Sequence, residues 1–272
     1  MLDNNLRTRL SCKGTPVRIG VRLGGLDVAR GRVSAAMLIA ATFVVGCVCV
    51  AAAPARAADD EETRVLLFSG RDLWRNGAFA YGGLLVAPSG VDQDGIALKL
   101  MLSGGLYRYN AGSLGGERVV GAETALMVMP GWRVKRGDLE VKVFFGPDIE
   151  NHRLWPDDPA NQLRGHSFGL RFATEVWYEP SATTMLAGDA ALSSIATQHS
   201  LRLAFGWRVL DQFYFGPETQ YFGSDGYRHW RLGGHFTALK TGDNEWLAAG
   251  GWARDSDGRS SPYVRLGVTM RP

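Results

Sequence analysis

Ser167-Phe168-Gly169-Leu170-Arg171-Phe172-Ala173-Thr174-Glu175-Val176-Trp177-Tyr178 sets large apolar residues against polar or small ones at alternate positions. One face carries Phe168, Leu170, Phe172, Val176 and Tyr178; the other carries Ser167, Gly169, Arg171, Glu175 and Trp177. A period of two predicts a strand, because successive side chains point to opposite faces. Charges on one face and bulky hydrocarbon on the other mean that one face is wet and the other is not.

The pattern recurs. Leu201, Leu203, Phe205, Trp207 and Val209 oppose Arg202, Gly206 and Arg208, and Val264, Leu266, Val268 and Met270 oppose Arg265, Gly267 and Thr269. Ile96, Leu98, Leu100 and Leu102 oppose Lys99 and Ser103. Strands are predicted at roughly 64–71, 77–87, 95–107, 118–132, 139–149, 165–179, 182–193, 199–210, 213–222, 230–240, 245–254 and 262–270, an even count of twelve.

The connections sort by parity. Even-numbered ones are tight, at 135–138, 179–181, 211–212 and 241–244; odd-numbered ones are longer, at 108–117, 150–164, 223–229 and 255–261. The short first connection near Arg75 and the longer even one at 88–94 depart from the rule. Tight turns on one side and longer loops on the other predict an all-β, up-and-down antiparallel barrel of the outer-membrane type, with both termini on the tight-turn side. A soluble β-sandwich or lipocalin-like barrel, its apolar faces turned inward, stays open as the alternative.

Residues 1–33 are basic, 35–53 are apolar, and Ala55-Arg56-Ala57 has small residues at a cleavage-site spacing. That order predicts a signal peptide over 1–57, with an extended basic region, and a single β domain over 58–272. Leader removal takes away eight of the 30 basic residues and two of the 27 acidic ones, so the remainder is slightly acidic. The basic balance of the whole chain therefore gives no nucleic-acid argument. Cys12, Cys47 and Cys49 all precede the cleavage site, which leaves the mature chain without disulfides or thiolate metal ligands.

In a membrane barrel, Lys99, Glu140, Lys142, Arg171, Glu175, Arg202, Arg208, Glu218, Arg231, His235 and Arg265 fall on the lumen side. Mixed signs there allow either an open water channel or an interior partly closed by ion pairs. A hairpin is repeated: Gly131-Trp132-Arg133-Val134 returns through Phe145-Gly146-Pro147-Asp148, and Gly206-Trp207-Arg208-Val209 through Phe215-Gly216-Pro217-Glu218. Each unit has an interfacial-type Trp, a base and a returning acid.

Leu67-Phe68-Ser69-Gly70 and Asp72-Leu73-Trp74-Arg75-Asn76-Gly77-Ala78-Phe79-Ala80-Tyr81-Gly82-Gly83 open the mature region. With Leu163-Arg164-Gly165, Trp177-Tyr178-Glu179-Pro180, the second repeated hairpin and Ala253-Arg254-Asp255-Ser256-Asp257-Gly258-Arg259-Ser260, this sequence resembles the cellulose biosynthesis protein BcsS family over essentially the whole mature chain. The resemblance implies a role in bacterial cellulose synthesis and secretion and supplies no catalytic residues. Joined to the barrel reading, it gives the expectation of an accessory in the outer membrane, with lipid, cellulose or synthase-complex components as partners. A periplasmic polysaccharide-binding module and a lipid-modifying barrel enzyme are the alternatives.

Trp155, Asp157, Asp158 and Arg164 form a candidate glycan contact, since sugars pair with aromatic faces and with bidentate charged groups. The plain alternative is a solvated turn between Pro156 and Pro159. Asp255-Ser256-Asp257-Gly258 begins like a calcium loop but lacks the later ligands, so an Asp/Gly turn is expected and no metal or cofactor. In His166-Ser167 and His199-Ser200 neighbours point to opposite faces of a strand, so neither is a nucleophile–base pair. The expectation is a non-enzymatic monomer.

Overall fold

A computed structural model describes residues 63–272. The leader and its cleavage site lie outside the described residues. The chain forms twelve strands: β1 (Val65–Trp74), β2 (Gly77–Val86), β3 (Gly95–Ala111), β4 (Glu117–Arg136), β5 (Leu139–Trp155), β6 (Gly165–Ser181), β7 (Thr184–Ser193), β8 (His199–Val209), β9 (Phe213–Ser224), β10 (Tyr227–Thr241), β11 (Asn244–Asp255) and β12 (Ser260–Met270). Each pairs antiparallel with its sequence neighbours, and β1 closes on β12 from Leu67 opposite Met270 to Trp74 opposite Tyr263. Closure leaves no sheet edge, which backbone inside lipid requires.

Bulky apolar groups cover the outside. Phe168 is 73% exposed, and Leu170, Phe172, Leu201, Leu203, Leu232 and Leu266 face out with it. Outward Trp132, Trp207 and Trp246 stand near the end with the termini, and outward Trp155, Trp230 and Trp252 stand toward the other. An apolar wall flanked by aromatics is how a barrel meets a bilayer, and it is the inverse of a lipocalin. The soluble alternative is overturned by this outward face.

The expected long loops are mostly strand. The β3–β4 ladder continues to Ala111 opposite Glu117, and the β4–β5 ladder reaches Val120 opposite Trp155. Here inward Tyr107, Tyr109, Val119 and Leu154 pack inside while Arg108, Asn110, Arg118 and Arg153 face out. Above the apolar wall the outer face is wet, so alternation loses its hydrocarbon partner and reads as loop. Residues 156–164 remain a true loop, whereas 225–226 is only a turn.

The long connection at 87–94 ties the terminal end together. Asp94 accepts from the Lys135 amide at 2.6 Å and pairs with Arg136, and Asp92 takes Arg271 at 2.6 Å. The hydrogen bond from Arg136 holds the Asp94 carboxyl below the usual carboxylate range.

Both repeated hairpins are built alike. Trp132 and Trp207 face out, while Asp148 and Glu218 are fully buried inside. Pro147 and Pro217 cannot donate, and the ladders to β4 and β8 skip there. Gly146 and Gly216 answer with close backbone approach: a Cβ on either would stand 2.1 Å from a carbonyl oxygen of the neighbouring strand.

Leu203→Arg, within the outward apolar wall, is expected to destabilise the folded barrel by about 2–4 kcal/mol in urea titrations in lipid vesicles. Gln212→Arg, in the exposed β8–β9 turn, should stay within about 0.5 kcal/mol.

Candidate functional site

The interior is filled at the end away from the termini and hollow at the other. In the filled half, Arg231 on β10 donates from Nη1 to both carboxylate oxygens of Asp72 on β1, at 2.8 and 2.7 Å. Its guanidinium lies 4.8 to 5.0 Å from the ring centres of Trp74, Phe222 and Tyr263. Trp74 in turn stacks on Phe79 and leans on His229. A desolvated cation surrounded by rings gains from each ring quadrupole.

Opposite lies a second polar cluster. Arg171 donates Nε–H to Asp148 Oδ2 at 2.8 Å, and the Ser193 hydroxyl donates to the same oxygen at 2.7 Å. Gln198 donates to Glu150 Oε2 at 2.8 Å, and His152 bridges Glu150 and the Tyr107 hydroxyl at 3.0 Å each. Below these tiers Glu218 receives Arg202 at 2.6 Å and Arg265 at 2.5 Å, and Arg202 reaches on to Asp189 at 2.7 Å. Nearer the termini Lys99 pairs with Glu175, Lys142 sits 2.8 Å from Glu140, and Arg133 donates to Glu140 at 2.6 Å.

The hollow half is a cavity of about 1360 Å³. Its mouth is set by turn residues of the terminal end, among them Lys135, Asp138, Gln212 and Arg271; Gln220, Phe222 and Arg265 lie on its deep wall. Tyr107, His152 and His229 of the filled half do not line it. The space is a vestibule with a closed floor.

One corner of the vestibule joins three kinds of group. Trp177 donates Nε1–H to Glu179 Oε1 at 2.9 Å and meets Tyr214 edge-on with ring centres 5.9 Å apart. Arg208 stands 4.9 Å over the Tyr214 ring and 3.4 Å from Glu179 Oε2. An aromatic face beside a half-buried carboxylate and guanidinium suits a polyhydroxylated ligand.

Of the residues expected at the lumen, Lys99, Glu175, Arg202, Arg208 and Arg265 line the vestibule. Arg171, Glu218, Arg231 and His235 lie within the packed interior, where His235 Nε2 meets the Phe205 carbonyl at 3.0 Å. Asp72, Glu150, His152 and Asp189 complete the networks and were not among the residues expected at the lumen; Asp148, the returning acid of the first repeated hairpin, joins them. Glu150 keeps the inward alternation of β5 with Asp148, the signal that could have found it.

Trp155, Asp157, Asp158 and Arg164 do not converge. Trp155 stands on the outer wall, and Asp157 pairs with Arg164 at 2.6 Å on the surface. Asp158 is buried: Ser113 and Tyr109 donate to it at 2.7 and 2.9 Å, and the Ala160 amide at 3.2 Å. It is a clamp within the loop, both of its carboxylate oxygens accepting from these donors. The Ser113 hydrogen bond chiefly holds its carboxyl below the usual Asp range.

In the 255–258 turn, Asp255 accepts from the Arg259 amide at 2.9 Å and from its Nε at 3.1 Å, while Asp257 pairs with the same guanidinium. No group of three or more His, Cys, Asp or Glu placed to hold a metal ion occurs among the described residues.

Two outcomes follow from these contacts. Arg231→Met should cost about 3–5 kcal/mol in unfolding titrations by stranding Asp72, and adding Asp72→Leu should recover most of it. Asp158→Ala should speed protease cleavage within 156–164 roughly tenfold through lost hydrogen bonds. Because the folded carboxyl titrates below its unfolded value, the clamp holds at neutral pH and weakens as pH falls below the ordinary Asp range, near about 4. The unaltered loop should therefore become cleavable by an acid-active protease only under that acidity.

Several solved structures are similar to this chain. The translocator domain of the autotransporter NalP from Neisseria meningitidis superposes with a TM-score of 0.46 at 12% identity, covering 91% of this chain and 96% of that one. KdgM porin gives 0.42 at 11% identity, covering 75% and 98%, and the outer membrane protein opdK from Pseudomonas aeruginosa gives 0.35 at 8%, covering 76% and 97%. No curated protein sequence matches the chain. The family model described as cellulose biosynthesis protein BcsS matches residues 66–272. This outer-membrane barrel belongs to the cellulose biosynthesis protein BcsS family.

Proposed function

We propose that the protein is a non-enzymatic accessory of cellulose production that holds a β-glucan segment in its vestibule at the periplasmic face of the outer membrane. The observation that carries this reading is the one-sided interior. The cavity opens among the tight turns beside the termini, the side that faces the periplasm in even-stranded barrels, and its floor is packed shut. Such a lumen suits capture and anchoring better than conduction of a polymer.

The Trp177–Glu179–Arg208–Tyr214 corner is the proposed contact. Glucose units present C–H faces that stack on aromatic rings and equatorial hydroxyls that pair with carboxylate and guanidinium. The wall residues are already paired with one another, so the ligand meets a preformed surface and orders few side chains on binding.

Trp177→Ala should weaken cellohexaose binding to the refolded barrel by roughly three- to tenfold in calorimetric titration. The same substitution should lower cellulose output in cells in which heat-modifiable migration shows an assembled barrel. Unchanged binding and output in an assembled variant would sink the reading.

A further inference from the structure

The outer wall carries a one-signed surface that the vestibule does not explain. Along β3 to β6 every carboxylate lies on the inward alternation, including Glu123, Glu140, Asp148, Glu150 and Glu175, and outward positions carry none. Bases are not so confined. Arg108, Arg118 and Arg153 occupy outward positions and are exposed, and none forms an ion pair among the described residues.

Register brings the three together. Arg108 lies opposite Val120 and Asn110 opposite Arg118 on the β3–β4 ladder; on the β4–β5 ladder Ala122 lies opposite Arg153 and Val120 opposite Trp155. With strands about 4.8 Å apart, the guanidiniums surround Val120 and Ala122 on a patch roughly 10 Å across. Exposed His166 adjoins it, opposite Asn151. Immediately below on the same four strands are exposed Leu102, Leu126, Ile149 and Phe168 of the apolar wall.

We propose that this patch binds the phosphate groups of a phosphorylated lipid in the outer leaflet. Three like charges without carboxylate partners favour a multiply charged anion, and guanidinium pairs with phosphate bidentately. The apolar wall directly beneath gives acyl chains their contact, which a free anion would not use. Trp155, on the row of Arg108, stands where interfacial aromatics meet headgroups. The contact would hold the barrel at a fixed depth and tilt, independently of any ligand in the vestibule.

The test uses the assembled barrel in detergent, with bound lipid counted by native mass spectrometry. The probes are bisphosphorylated lipid A, the same lipid stripped of both phosphates, and inorganic phosphate alone. Lipid A should bind, and the triple variant Arg108→Gln, Arg118→Gln, Arg153→Gln should bind it about a hundredfold more weakly, a few-fold per arginine. Stripped lipid should bind the unaltered barrel no better than lipid A binds the triple variant. Equal binding of lipid A by variant and unaltered barrel overturns the proposal, as does equal binding of stripped lipid. Displacement of lipid A by equimolar inorganic phosphate also overturns it, assigning the patch to a free anion. If the triple variant does not assemble, comparison of the two lipids on the unaltered barrel decides.

Discussion

Backbone amides and carbonyls inside lipid have no water to pair with, and this single constraint organises the molecule. It forces β1 to meet β12, since any open edge would strand a row of donors and acceptors in hydrocarbon. Closure then divides each strand into an outward and an inward set. The outward set meets acyl chains and becomes leucine, phenylalanine and valine, with tryptophan at the borders. The inward set must hold what the wall rejects, so nearly all the charge of the membrane-spanning region is concentrated in one narrow space.

Charges confined this closely are tolerable only when paired. The networks around Asp72, Asp148, Glu218 and Glu175 are therefore as much a requirement of the barrel as of its function. Their distribution is uneven. Large rings beside Arg231 fill one half, while the strands toward the termini leave space between Trp177, Arg208 and Arg265. That imbalance turns a symmetric architecture into a vestibule with one mouth. The repeated hairpins place a buried acid on β5 and another on β9, and each anchors a different arginine network.

Much of this was legible in the chain. Twelve strands, their alternation and the inward placement of Lys99, Arg202 and Arg265 come from a period of two, and that period survives in any sheet. Legibility failed where the surroundings change along a strand. Arg108 and Arg153 belong to regular ladders above the apolar wall, yet they read as loop, and Arg118 as the first residue of its strand, because water had replaced lipid outside them. Asp158 read as a glycan contact or a solvated turn former, and Ser113 and Tyr109, over 40 residues away in sequence, turned it into a buried clamp.

By itself the sequence determined the strand count, the two chemical faces and the family, because these depend on residue order within single strands or on whole-chain likeness. Only the tertiary structure decided which charges pair, that one end of the interior is shut and the other hollow, and that three arginines share an outer patch. Each of these depends on cross-strand register and on the volumes of side chains meeting across the lumen, and neither is written in the period of any one strand.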